Sequence, residues 1–314
     1  MNKKVTILIP AYNEELDLPK LFARLVKLGK TVDDCRFEFL FVNDGSTDKT
    51  LTIIKDFAKE DKRVSYINLS RNFGKEVAMI AGIDHVDSDA LVIIDADLQD
   101  PPELIPDMIR LWREGYDDVY ARRTERVGES WLKRTTSSLF YKILQRSTRI
   151  PIQRDTGDFR LLDRRCVEAL QQLRERERYT KGLFSWIGYS KREITYVRDA
   201  RAGGETKWNY FRLLNLAIDG IVSFTTAPLR FSTALGMIIS LFAFGYIVYL
   251  VVRTLLFGSD LAGYPSIMAV VLFLGGVQLL SLGIIGEYIG RIFNETKRRP
   301  LYLIDEYHAT KGKQ

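Results

Sequence analysis

Residues 91–103 read LVIIDADLQDPPE, an apolar run that stops at Asp95 and sets Asp97 and Asp100 close behind it, followed by Pro101 and Pro102. So short an apolar run, bounded by turn-forming residues, suits a buried strand better than a helix. Asp after a strand commonly makes a tight turn by bonding its own backbone. Two Asp separated by one residue also repel each other unless a cation relieves them. Hard divalent cations such as Mg²⁺ or Mn²⁺ take oxygen ligands, and Mg²⁺ is commonly held by one or two carboxylates together with substrate phosphate oxygens. Asp95 and Asp97 are therefore candidates for a divalent metal shared with substrate phosphate oxygens. Asp100, beside two prolines, reads as the cap of a helix that begins at about Glu103.

The same alternation extends on both sides of this stretch. VTILI (5–9) reads as a strand, and Leu18, Leu21, Phe22, Leu25 and Leu28 recur at helical spacing. FEFLFV (37–42) is a second strand, followed by the turn NDGSTD, where Asp48 or Ser46 can cap a helix over 49–59. VSYINL (64–69), a helix around 75–86, ALVII (90–94), a helix over 103–114 and DDVYA (117–121) continue the series. Regular β-α order predicts an α/β fold with a mostly parallel sheet flanked by helices. Ligands of such sheets bind outside the carboxyl ends of the strands, where 10–14, 43–48 and 95–100 all fall.

The chain has 314 residues, 46% of them hydrophobic and 27% charged, which excludes a disordered composition. Up to about residue 228 it reads as a soluble domain. The 22 residues of 231–252 and the 20 of 267–286 then carry no charge. About 20 apolar residues wound as a helix match the ~30 Å hydrocarbon core of a bilayer. The expected organisation is a domain over 1–228, a transmembrane hairpin over 229–290 and a cytoplasmic tail over 291–314. The segments 128–152 and 206–228 mix aromatic and basic residues, as interfacial amphipathic helices do. The N-terminal apolar run is too short for a signal peptide. Lys207, Arg212 and Arg230 before the first span, with Arg291, Lys297, Arg298 and Arg299 after the second, place both termini inside. The net charge of +6 is accounted for by anionic lipid at the membrane surface, and no nucleic-acid motif is present. Two cysteines and two histidines offer neither a disulfide framework nor a His-based metal centre.

A phosphate ligand needs cations as well as metal. There is neither GxxxxGK[ST] nor GxGxxG. SRNFGKE (70–76) instead places Arg71, Gly74 and Lys75 after a strand, and ARAGGETKW (200–208) offers Arg201 and Lys207.

Taken together, PAYNEE (10–15), VNDGSTD (42–48), RNFGKEVAMIAG (71–82), DADLQDPPE (95–103), DTGDFRLLDR (155–164) and GETKW (204–208) resemble the family 2 glycosyltransferases that load polyprenyl phosphates. The likeness runs along almost the whole chain, the two spans included, and is nearest to the bactoprenol glucosyltransferase branch of the dolichol-phosphate mannose synthase group. It implies a GT-A fold and an inverting transfer of a sugar, glucose from UDP-glucose in the first instance, to undecaprenyl phosphate at the bacterial inner membrane. By the same resemblance Pro10, Ala11, Tyr12, Glu14 and Asp44 flank the nucleoside. Asp95, Ala96 and Asp97 face the diphosphate, Asp97 being the main ligand of Mg²⁺ or Mn²⁺ with Gln99 in support. Lys75, Arg201 and Lys207 meet the donor phosphates, and Asp158 stands at the position proposed for the base. Arg122, Arg123 and Arg160 are candidates for the acceptor phosphate. UDP-GlcNAc, a UDP-aminoarabinose derivative and GDP-mannose suit the same motifs, and a homotetramer is implied by resemblance alone. A processive synthase would carry Gln-x-x-Arg-Trp, yet none of Trp112, Trp131, Trp186 or Trp208 follows an Arg. A membrane component that binds nucleotide-sugar without turnover is the remaining alternative.

Overall fold

Strand β1 (Lys3–Ala11) is buried on both faces, with Val5, Ile7, Leu8 and Ile9 wholly inaccessible, which is why it reads as an unbroken apolar run rather than an alternating one. The structure, a computed structural model, describes residues 3–29, 32, 34–123, 156–176, 180–196, 227–257 and 263–310. Two compact units are distinguished, one holding the sheet and the other two long helices.

In the sheet unit β1 is followed by α1 (Leu18–Leu28), β2 (Cys35–Asn43), α2 (Thr50–Glu60), β3 (Val64–Leu69), α3 (Lys75–Asp84) and β4 (Ala90–Ile93). Then come a 3₁₀ turn at Pro102–Leu104, α4 (Ile105–Arg113), β5 (Asp118–Arg123), β6 (Thr156–Asp163), α5 (Arg164–Gln172), α6 (Thr180–Trp186) and β7 (Lys191–Tyr196). The strand order is β7-β5-β6-β4-β1-β2-β3-β8, where β8 is Ile304–His308. β4, β1, β2 and β3 run parallel, β6 runs antiparallel to both β4 and β5, and β8 runs antiparallel to β3. The five helical-spaced residues of α1 are all buried, as their period requires.

This order has a switch point. From β1 the chain winds outward through β2 and β3, then α3 carries it back to β4 on the other side of β1. A crevice opens where strand order reverses, at the carboxyl ends of β1 and β4. The antiparallel register of β6 then matters: Ala90 faces Asp163 and Ile93 faces Arg160. Two residues beyond that last pair lie Asp95, past the end of β4, and Asp158 on β6. The strand at 156–163 has no α/β periodicity around it and was legible only as a motif.

Helix α3 lies close on the sheet because Gly82 faces Leu8. A Cβ at Gly82 would fall 2.2 Å from Leu8 Cδ1. Overpacking of this kind costs about 1–3 kcal/mol.

The segment after the long helices is not a tail. The second long helix continues to Thr296, and 304–308 forms the edge strand beside β3. Glu306 accepts from the Tyr66 hydroxyl at 2.6 Å and from Lys55 Nζ at 2.5 Å, Asp305 accepts from Asn68 Nδ2 at 3.0 Å, and Tyr302 donates to Asp84 at 2.8 Å. Side chains that alternate with hydrophobic ones are what makes such a strand look like a polar terminus in sequence.

In the other unit, α7 (Ala227–Phe257) and α8 (Tyr264–Thr296) lie against each other. Both are long and apolar enough to cross a membrane, over Pro228–Tyr246 and Phe273–Thr296. Large apolar side chains along them are exposed, Phe242 at 76% and Leu279 at 72%. The predicted segment 128–152 and residues 206–226 of the predicted segment 206–228 lie outside the described residues, while 227 and 228 open α7.

Gly82→Val is expected to lower stability by about 1–3 kcal/mol, read as a lower midpoint of thermal unfolding of the detergent-solubilised protein.

Candidate active site

Two loops build the floor of the site by bonding to each other. Asn13, in the left-handed region at φ 57°, accepts from Thr47 N through Oδ1 at 2.8 Å, and its own N–H donates to Ser46 Oγ at 3.0 Å. Glu14 N donates to Thr50 Oγ1, Glu15 N to Asp48 Oδ2, and Lys49 N to Glu15 Oε2. Asp48 also accepts from Thr50 N at 2.9 Å, closing a turn just before α2, whose N-cap position falls at Lys49 and carries no side-chain cap. The loops after β1 and β2 thus satisfy each other's backbone.

Asp44 ties in a third strand end. It is 2% exposed, and its two oxygens accept from Phe73 N at 2.7 Å and Gly74 N at 2.9 Å. Burial pushes its carboxyl up against these two bonds. Gly45 beside it has φ +64°, and a Cβ there would lie 2.4 Å from the Arg71 carbonyl carbon. Only glycine lets the loop at 70–74 approach so closely. Lys75, the first residue of α3, is set by this grip.

Lys75 Nζ lies 2.6 Å from Asp95 Oδ1 and 2.5 Å from Asp158 Oδ2. Desolvation works against its charge, but the two carboxylates outweigh it and hold the ammonium well above the ordinary lysine range. Asp95 is raised by burial despite Lys75, with Asp158 adding repulsion. Asp158 is opposed by the same desolvation, yet Lys75 and Lys181 bring it below the usual carboxylate range. Asp158 is accordingly a fixed anion.

Asp97 Oδ1 accepts from Gln99 N at 3.2 Å, across a turn in which Leu98 takes φ 59°. Gln99 is 4% exposed and its buried Oε1 has no partner among the described residues. Glu14, half-buried, is pushed up to about 7 by desolvation and then by Asp97, Asp17, Asp95 and Asp48. Among the described residues no three acids, histidines or cysteines converge as a complete metal cage. A cation that completes its shell with phosphate oxygens needs no such cage. Asp97, with Asp95 and the orphaned Gln99 oxygen, offers the oxygen donors such a cation takes.

Pro10 and Ala11 are buried at the end of β1, Ala96 is buried after β4, and Tyr12 is 45% exposed beside them. Arg122 on β5 pairs with Glu193 on β7 at 3.0 Å, and Arg123 closes β5. Arg201 and Lys207 lie outside the described residues.

Two expectations are corrected. Arg160 has no exposed surface: its guanidinium pairs with Asp118 at 3.0 Å and lies 3.8 Å above the Phe184 ring, so it supports the sheet rather than meeting a substrate phosphate. Asp100 caps no helix; the turn at Pro102–Leu104 and α4 start without a side-chain cap, and Asp100, 1% exposed, accepts from the Tyr196 hydroxyl of β7. Conversely, Glu76 and Lys181 border the site and were not singled out from sequence. Glu76 follows Lys75 directly, whereas Lys181 reaches the site only through the fold.

The architecture is of GT-A type: a mostly parallel α/β sheet with an acidic strand-end site beside a lysine. Residues 6–171 match the model of glycosyl transferase family 2, and residues 227–292 match the GtrB C-terminal hairpin. An uncharacterized glycosyltransferase of Synechocystis is 51% identical over 306 residues, 98% of this chain and 96% of that protein. A prophage bactoprenol glucosyl transferase homolog of Escherichia coli is 42% identical, covering 96% of this chain and 98% of its own length. The bactoprenol glucosyl transferase of Shigella phage SfII is 43% identical, covering 97% and 98% respectively. The chain belongs to glycosyltransferase family 2.

The buried pair gives one expectation: Asp118→Ala leaves Arg160 uncompensated and destabilises by about 3–5 kcal/mol, measurable by denaturant unfolding. Glu14 gives another. The folded protein keeps a proton that an unfolded carboxyl of ordinary pKa 4.5 has lost, so Glu14 lowers stability as pH rises from about 4.5 to about 7. Melting curves across pH should show Glu14→Gln gaining on wild type through that window and no further above it.

Proposed function

We propose that this protein transfers glucose from UDP-glucose to undecaprenyl phosphate in one inverting displacement. The observation that carries this reading is the match, along 96–97% of the chain, to proteins named for bactoprenol glucosyl transfer. The acceptor phosphate oxygen forms a bond to the anomeric carbon as the bond from that carbon to the UDP oxygen breaks.

A phosphate monoester has its second pKa at about 6, so the acceptor is already largely dianionic at neutral pH. It needs little deprotonation, and Asp158, held below the usual range and bonded to Lys75, is poorly suited to take a proton. Asp158 instead orients Lys75 and places negative charge where the anomeric carbon becomes positive. Lys75 stays charged and offers its ammonium to the diphosphate. Pro10, Ala11, Tyr12 and Asp44 border the nucleoside. Mg²⁺ or Mn²⁺, held by Asp97 with Asp95 and Gln99, would take up charge on the leaving diphosphate.

The helical pair anchors the domain to the membrane with both of its ends on the cytoplasmic face. Strands before and after the pair belong to one sheet, so the chain must return to the side it left. Arg230 before the pair, and Arg291, Lys297, Arg298 and Arg299 at its other end, support the cytoplasmic assignment.

The test is product analysis with the full chain, Mg²⁺, labelled donors and undecaprenyl phosphate. One glucose per lipid phosphate is expected; transfer only from another nucleotide-sugar, or a polymer, would overturn the assignment. Asp97→Ala is expected to cut metal-dependent turnover by about 10²–10³-fold, and unchanged turnover would remove Asp97 from the metal.

A further inference from the structure

Leu98 stands between Asp97 and Gln99 with φ 59°, in the left-handed region. A leucine avoids that region because its Cβ crowds the following carbonyl oxygen. Strain of this kind persists only where the surroundings over-determine it, and it gathers at functional sites. Here the residue is held from three sides. Asp97 Oδ1 accepts from Gln99 N at 3.2 Å, closing a turn across Leu98. The Leu98 side chain packs against the hydrophobic core. On the far side Asp100, 1% exposed, accepts from the hydroxyl of Tyr196, a buried residue at the end of β7 and 96 positions away, and Pro101 restricts the next φ. The first two holds are local to the turn. The third comes from a distant strand, and the mechanism gives it no part.

We infer that the Tyr196–Asp100 hydrogen bond is the clamp that keeps this strained turn in place, holding Asp97 and the buried Gln99 Oε1 ready for a divalent cation. Tyr196 and Asp100 are its positioning residues. The inference rests on the proposed role of Asp97 and Gln99 toward that cation. With the clamp removed, Leu98 is free to relax toward negative φ, and the bond from Gln99 N to Asp97 opens with it. The two oxygen donors then no longer share one fixed geometry. The Tyr196 hydroxyl donates to Asp100, so replacing Tyr196 acts on the turn and not on a ligand of the cation. Groups that orient metal ligands typically change metal affinity by about 10–100-fold when removed. A bond that served only to join β7 to the turn would change stability and leave that affinity where it was.

The experiment is Mn²⁺ binding by the full-length protein in detergent with UDP present, read from the paramagnetic resonance signal of free Mn²⁺, so that turnover plays no part. Tyr196→Phe is expected to raise the Mn²⁺ Kd about tenfold or more, with its thermal midpoint recorded alongside to confirm folding. Asp100→Ala and Asp100→Asn remove the same charge, but the amide keeps an oxygen for the Tyr196 hydroxyl. Asp100→Asn should therefore bind Mn²⁺ about threefold or more tightly than Asp100→Ala. A Kd within about twofold of wild type in folded Tyr196→Phe, or equal affinities in the two Asp100 variants, overturns the inference. If the wild-type protein binds no Mn²⁺, or Asp97→Ala binds it as well as wild type, the metal reading itself fails and takes the inference with it.

Discussion

Asp95, just past the end of β4, and Asp158, on the antiparallel β6, converge on one point, and without a cation between them their desolvated carboxylates would repel. The Lys75 ammonium, within 2.6 Å of both, is that cation. Much of the sheet unit serves this contact. β6 must run antiparallel to β4 for Asp158 to converge with Asp95. Helix α3 must begin at the carboxyl edge, beside the switch point, for Lys75 to reach either. Asp44 fixes that beginning through the two N–H groups at 73–74, and Gly82 lets the same helix lie flat on Leu8.

The loops after β1 and β2 meet most of their backbone requirements with each other's side chains, so Asn13, Ser46, Asp48 and Thr50 are spent on architecture. Glu14, in the same loops, is left half-buried among acids with its carboxyl raised to about 7. An arrangement that stabilises itself everywhere except at one negative edge is poised for a positively charged ligand, and Asp97 with Gln99 lies on that edge. Stability and chemistry pull apart here, as they commonly do at functional sites.

Near neighbours in sequence divided sharply in role. Asp158 and Arg160 are two residues apart on one strand, yet Asp158 borders the site and Arg160 is sealed beneath it with Asp118 and Phe184. Asp97 and Asp100 separated in the same way, Asp100 being drawn under the turn by Tyr196 of the distant strand β7. Spacing along a chain reports which side chains share a face of a strand. It does not report how deep that part of the strand is buried.

Local rules were enough for the strand ends. Apolar runs that stop at Asp, Asn and Gly, and helices of regular period between them, placed the segments 10–14, 43–48 and 95–100 at one edge of a sheet, and two long charge-free runs marked the two long apolar helices. Those signals are local because each depends on a few consecutive residues. What only the tertiary structure decided depends on residues far apart in the chain: the antiparallel insertion of β6, the return of 304–308 to the sheet beside β3, the burial of Arg160, and the anchoring of Thr180 by Glu76, 104 positions away. Pairing of strands and burial of charge are set by the free energy of the whole packed sheet, to which no short stretch of sequence has access.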